Sequence, residues 1–303
     1  MIKRIFFVDR NVISRIKDST LTEDNRLLLE SIDIKGHRVT SLLATVEGQS
    51  GVMQTLDELK TSIAKDYVTL KGFFKHAATQ DMEMALASES HLHGLLELTQ
   101  ERWEKYAAFI GFAQSMLYQD VGSAKRKATR DAILKKADEL AVPRSSFEVL
   151  CAISSLYRLD YAYRTLKPSP KITETEKRIH NALQDLSLVR LFLTLKMLLQ
   201  AEGVSETYFI TFDEWLAGFV RIAQIEPMGF VQTETLSSHF RVSPTKELFP
   251  GISDADFEEL YPLLGATRQL IGWAVPSPQI KMRYRLSLVL ESDTNKQINQ
   301  HSE

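Results

Sequence analysis

The sequence predicts an α/β protein, a short parallel sheet flanked by helices and interrupted by a long stretch that is helical throughout. Three observations carry this. Ile5-Phe6-Phe7-Val8 is an unbroken apolar run of strong β formers, the way a central strand buried on both faces reads. Tyr208-Phe209-Ile210-Thr211 is a second such run. Between them, from about Gln54 to Leu166, apolar residues recur at helical spacing, as in Leu56, Leu59, Ile63 and Tyr67, with Pro143 the only proline.

Each element follows in order. Asp9 stops the first strand, and Asn11 to Ile16 has helical spacing. Ser19 or Thr20 can cap the next helix, built on Leu27, Leu28, Leu29 and Ile32 and closed by Gly36. A third helix is expected through Val39, Leu42, Leu43 and Val46, carrying Glu47. After the helical block, Lys167-Pro168-Ser169-Pro170-Lys171 is the clearest linker-like punctuation. A long helix is expected from about Thr173 to Gln200, with Thr173 and Glu176 as a capping box and Gly203 as its end. Beyond the second strand, Trp215 to Ala223 is helical. After Pro227 the pattern is mixed: Ser253 opens a capped helix, and Met282 to Leu290 alternates as a half-buried strand. The tail from Ser292, rich in Asn, Gln and Ser, reads as disordered.

Composition narrows the function. With 303 residues, 44% of them hydrophobic, the chain can fill a core and has the length of about two domains. A net charge of −2 gives no global field for a polyanion, so nucleic-acid binding needs a local basic patch. The single cysteine, Cys151, lies in the apolar run Val149 to Ile153 and reads as a buried, inert thiol. No stretch approaches the ~18–20 apolar residues of a membrane span, and the N-terminus meets an acid too early for a signal peptide. A cytoplasmic protein without membrane partners is expected. The absence of Cys-x-x-Cys, His-Glu-x-x-His, Gly-x-x-x-x-Gly-Lys and Gly-x-Ser-x-Gly argues against zinc-finger, zincin, P-loop and α/β-hydrolase chemistry.

Four acids stand out by position. Asp9 and Asp213 each follow a buried strand, and in an open parallel sheet both would face the crevice beyond the strand ends. Glu47 and Asp185 sit inside otherwise apolar helix faces, where a carboxylate is costly unless paired or metal-bound. Converging acids cannot all ionise at neutral pH without a cation, and a hard divalent ion with oxygen ligands, Mg²⁺ or Mn²⁺, resolves the conflict. Each acid also has a plainer reading; Asp9 can simply cap the helix beginning near Asn11, and Glu47 can lie on a solvated edge. If the acids converge, Asp9→Asn is expected to preserve folding and, by relieving repulsion, to raise thermal stability without metal.

These residues carry a family resemblance. Ile5 to Ser14, a hydrophobic strand followed by Asp9-Arg10-Asn11-Val12, resembles the opening of PIN-domain nucleases. Ser41 to Glu47 looks like their helix bearing the second acid, Asn181 to Leu186 like the helix with the third, and Tyr208 to Ala217 like the last strand running through Thr-x-Asp into a helix. The resemblance implies a PIN-like domain split between residues 1–53 and 171–224, a helical insertion over 54–170 and a C-terminal extension over 225–303. It also implies a metal-dependent endonuclease, RNA ahead of DNA as substrate, with Asp9, Glu47, Asp185 and Asp213 holding Mg²⁺ or Mn²⁺. Asn11 and Thr211 would orient the carboxylates or a metal-bound water, although Thr211 is equally a normal β-branched strand residue.

A polyanion needs cations. Lys125, Arg126, Lys127 and Arg130 crowd one short stretch, either a phosphate-binding helix or a solvated face, and it is expected to be exposed. Arg178 and Arg190 share the long helix with Asp185, and Arg10 adjoins Asp9. A protein partner or a homo-oligomer remains open. Two rivals accompany the nuclease: a non-catalytic helical protein-binding or scaffold module on a degenerate PIN-like core, and a phosphatase or other metallo-hydrolase using the same acids.

Overall fold

The computed structural model describes residues 4–47, 55–79, 103–169, 175–201, 204, 206–232, 235–242, 244–264 and 270–276. The first strand, β1 (Arg4–Val8), leads into α1 (Arg10–Lys17) and α2 (Glu23–Ile32), then β2 (His37–Thr40) and α3 (Leu42–Glu47). Helices follow: α4 (Leu56–Phe73), α5 (Trp103–Leu117), α6 (Ser123–Glu139), α7 (Phe147–Leu156), α8 (Asp160–Leu166) and the long α9 (Thr175–Ala201). Then come β3 (Glu206–Ile210), α10 (Glu214–Ala223), the strands β4 (Ile225–Gln232) and β5 (Thr235–Val242), α11 (Asp254–Leu263) and β6 (Leu270–Pro276).

The first sheet is parallel throughout, in the order β2-β1-β3, with Phe7 opposite Thr40 on one side and Phe209 on the other. Side chains alternate along β1, and both faces are covered. Phe6 and Val8 pack with Val12, Ile13, Leu29 and Leu70 from α1, α2 and α4. Ile5 and Phe7 pack with Leu43 of α3 and Leu188, Leu191 and Leu199 of α9. A strand buried on both sides needs apolar residues at every position, and Ile5 to Val8 supplies them.

A third and larger core joins α5, α6, α7 and α8 to α9 and α10, with Phe109, Ile153, Leu186 and Phe219 among its fully buried side chains. Helix α9 therefore serves two cores. Leu183, Leu186 and Val189 face the helical block, while Leu188 and Leu191 face the sheet. That dual duty explains why its sequence is apolar around most of its circumference. The same helix thus ties the block before residue 170 to the sheet, where the sequence suggests a division.

The structure departs from the sequence reading in five places. Strand β3 is an outer strand of its sheet and only partly buried, with Tyr208 39% exposed, where a strand buried on both faces is expected; with one side of the strand unpaired, its apolar run is not enclosed. Val39 lies in β2 and not in a helix; the four residues His37 to Thr40 are all buried, so no alternation advertises the strand. Helix α2 is capped by Thr22, whose hydroxyl takes the Asn25 amide, in place of Ser19 or Thr20. Gly36 sits in the turn before β2 at φ 93°, a left-handed conformation that glycine adopts freely. Finally, β4, β5 and β6 form an antiparallel sheet that the mixed pattern after Pro227 did not announce. The expected capping box at Thr173, the strand over 282–290 and the tail lie outside the described residues. Among the described residues no helix is long and apolar enough to cross a membrane.

Candidate active site

Parallel pairing of β1 and β3 sends both chains out of the same sheet edge, and the backbone amide of Asp9 bonds to the Ile210 carbonyl at 3.0 Å. Asp9 follows Val8 directly and caps α1; it is 3% exposed. Its Oδ1 accepts the Arg10 amide at 2.5 Å, and its Oδ2 accepts Asn11 Nδ2 at 2.8 Å and the Thr211 hydroxyl at 2.6 Å. Asp213 caps α10 the same way, its Oδ1 taking the Trp215 and Leu216 amides at 2.9 Å each. Thr211 Oγ1 accepts the Asp213 amide at 3.0 Å and Asn11 Nδ2 at 3.2 Å, while Asn11 Oδ1 accepts the Phe212 amide at 3.0 Å. Asp9, Asn11, Thr211 and Asp213 thus form one network across the strand ends.

Asp185 arrives from α9. Burial pushes its carboxyl up to about 6; the Lys167 ammonium pulls it down, and the carboxylates of Asp213 and Asp9 push it up again. The three aspartates therefore share one electrostatic neighbourhood. Lys167 Nζ donates to Asp185 Oδ2 at 2.5 Å. Glu47 closes α3, a helix joined to α9 through Leu43 and Leu188, but its side chain lies outside the described atoms.

The basic residues behave differently from expectation. Arg10 braces the interior: Nη1 pairs with Asp66 at 2.8 Å, and Nε and Nη2 donate to the Ala44 carbonyl at 3.0 and 2.6 Å. Its guanidinium ties α1 to α3 and α4, which commits its charge to the interior instead of to a phosphate. Arg190 is buried in the helical core, ion-paired to the fully buried Glu148 and stacked 4.9 Å over the Tyr106 ring. Arg178 is half-buried near the start of α9.

The run on α6 is only partly exposed. Arg130 is 1% exposed and pairs with Asp131 and Glu259. Lys127 also binds Glu259, and Arg126 donates to the Gly251 carbonyl at 2.7 Å. The expected exposure fails for Arg130 because α6 packs against α11 and the segment leading into it, where Glu259 supplies the counter-charge and Gly251 engages Arg126. Lys125 and Lys135 face solvent.

Two residues escaped the sequence reading. Asp66, 5% exposed, falls in the apolar stripe Leu59, Ile63, Asp66, Leu70 of α4, so the same signal that marked Asp185 was present. It accepts the Thr45 hydroxyl at 3.1 Å besides Arg10. Lys167 sits in linker-like sequence, which carries no signal at all.

The donor set suits a hard divalent ion by its chemistry: carboxylates supported by a hydroxyl and an amide. As they stand, no three His, Cys, Asp or Glu side chains among the described residues approach closely enough to hold a metal. A separate cavity of about 290 Å³ in the helical block, lined in part by Gln119, Ser155, Arg158 and Tyr163, includes none of the four acids.

Against known proteins, the chain matches no family model, no curated protein and no solved structure.

Proposed function

We propose that the chain is a metal-dependent nuclease with a PIN-like site, an endoribonuclease that hydrolyses phosphodiester bonds at Asp9, Glu47, Asp185 and Asp213. The observation that carries this reading is the placement of Asp9 and Asp213 on one edge of a parallel sheet, joined through Thr211. Structural Asp caps are common; two on neighbouring strand ends, with a third acid electrostatically coupled to both, are a donor set suited to metal-assisted phosphoryl hydrolysis.

Asp9, Glu47, Asp185 and Asp213 would hold Mg²⁺ or Mn²⁺, which when bound lowers the pKa of water and neutralises charge on the phosphate. The chain's own contribution is positional. Asn11 and Thr211 fix the Asp9 carboxylate, and the first turn of α10 fixes that of Asp213. Of the cations expected to meet a polyanion, Lys125 is the best placed, because it faces solvent while Arg10, Arg130 and Arg190 are committed internally. RNA stands ahead of DNA by resemblance alone. The buried thiol of Cys151 suits a reducing, cytoplasmic setting.

The test is cleavage of RNA and DNA panels with Mn²⁺ or Mg²⁺. Asp213→Asn is the cleanest variant, since asparagine caps helices as well as aspartate does. Activity should fall by orders of magnitude, and Asp185→Asn should act likewise, the pair being scarcely worse than either alone. One observation favours the rival scaffold reading: Lys167 already neutralises Asp185. Wild type cleaving nothing with either metal would favour that alternative.

A further inference from the structure

Among the described residues, Lys167 is the cation that the helical block delivers to the acids, and its placement is firmly built. Its backbone closes α8 in the left-handed region at φ 55°, with its amide bonded to the Tyr163 carbonyl at 3.0 Å. That position is the usual place for glycine at a helix end. The preceding Leu166 is fully buried, and its carbonyl accepts the side-chain amide of the buried Gln114 at 2.8 Å. A β-carbon is thus tolerated in a strained conformation at the point where the side chain reaches Asp185. Lys167 is a third exposed along its side chain, against 16% for Asp185, so the ammonium has room to turn outward while the carboxylate does not.

We propose that the Lys167 ammonium is the resident counter-ion of the acid cluster and must leave Asp185 before a divalent cation can occupy it, so that the end of α8 governs metal occupancy. The inference rests on the reading of Asp185 as a metal-holding acid. Two cations cannot both sit against one carboxylate oxygen in a half-buried site without strong repulsion. The ammonium in place satisfies Asp185 when no metal is present; an arriving ion must replace that interaction, which weakens apparent affinity. Substrate phosphate offers the released ammonium a new partner.

The experiment uses the full chain and Mn²⁺ alone, titrated at about pH 8 by calorimetry and by loss of the free Mn²⁺ paramagnetic resonance signal. Lys167→Met keeps length and removes charge; Lys167→Gly removes charge and relaxes the helix end; Lys167→Arg keeps charge. Thermal melts check that each variant folds. The neutral variants should bind Mn²⁺ roughly tenfold more tightly or better than wild type, and Lys167→Arg should stay close to wild type. Equal affinity in Lys167→Met and wild type overturns the proposal while leaving the metal site standing. Weaker binding in both neutral variants overturns it too, because Lys167 would then build the site instead of filling it. No Mn²⁺ binding by any form defeats the metal reading and this inference together.

Discussion

Thr211 donates its hydroxyl to Asp9 Oδ2 at 2.6 Å, across 202 residues of chain, and on the same oxygen receives the amide of Asp213 at 3.0 Å. One small side chain at the end of β3 thus locks the acid after β1 to the acid before α10. A hydroxyl is needed for this, since only a group that both donates and accepts can face a carboxylate and an amide at once.

Thr211→Val keeps the β-branched shape and deletes both bonds together with the weaker one from Asn11 Nδ2 at 3.2 Å. The variant should lose about 1–2 kcal/mol in urea unfolding, from one carboxylate acceptor and one amide left short of a partner. Cleavage should drop as well, because Asp9 then keeps only Asn11 on Oδ2. Unchanged stability would mean that water replaces the hydroxyl without loss.

Asp9→Asn reverses an expectation drawn from like-charge repulsion. Three donors converge on the two oxygens of Asp9, and an amide can present only one oxygen to them. Its NH₂ would face a donor, so the variant should be destabilised by about 1–3 kcal/mol in the absence of metal. A melting temperature equal to or above wild type would show repulsion to outweigh these bonds. Asp213→Asn, which retains its capping oxygen, should change stability far less.

Asp185 makes stability depend on pH. Its folded value lies near 6, above its ordinary value of 3.8 in the unfolded chain. Between those values the folded state holds a proton that the unfolded state has released. The stability from this group is complete on the acid side and is lost as pH rises through about 6, by at most roughly 3 kcal/mol. Asp185→Asn should flatten that part of the profile. Denaturant midpoints measured from about pH 4 to pH 7.5 in both proteins decide it; identical slopes would assign the pH dependence to other groups.

The α6 cations should separate into two classes. Arg130→Ala deprives Asp131 and Glu259 of a shared, buried partner and opens a cavity, so it should lower the unfolding midpoint and speed amide exchange in α11. Lys125→Ala with Lys135→Ala should leave stability unchanged. If these lysines meet phosphate, the double variant should lower the slope of log binding against log salt by roughly one for each phosphate they neutralise. A slope equal to wild type would leave them as solubilising charges.

Local pattern alone determined a good part of this protein. The strand at Ile5 to Val8 was legible because both-face burial demands continuous apolar residues; the equally apolar run ending in Ile210 marked a strand too, but one that lies at the edge of the sheet with Tyr208 exposed. The helices were legible because their apolar positions recur every three or four residues. Asp9, Asp185 and Asp213 were conspicuous as acids at strand ends or within apolar stripes, whereas Asn11 and Thr211 were singled out only by the resemblance to PIN-domain nucleases. What pattern could not decide is which polar groups face each other. Arg10 and Arg190 look like free cations in one dimension and become internal braces once Asp66 and Glu148 are folded against them. Arg130 loses its solvent face to α11, which lies more than a hundred residues away. Lys167 belongs to a linker in sequence and to the acid cluster in space. An ion pair between distant segments leaves no periodicity behind; it comes into being only when the backbone brings the two charges together.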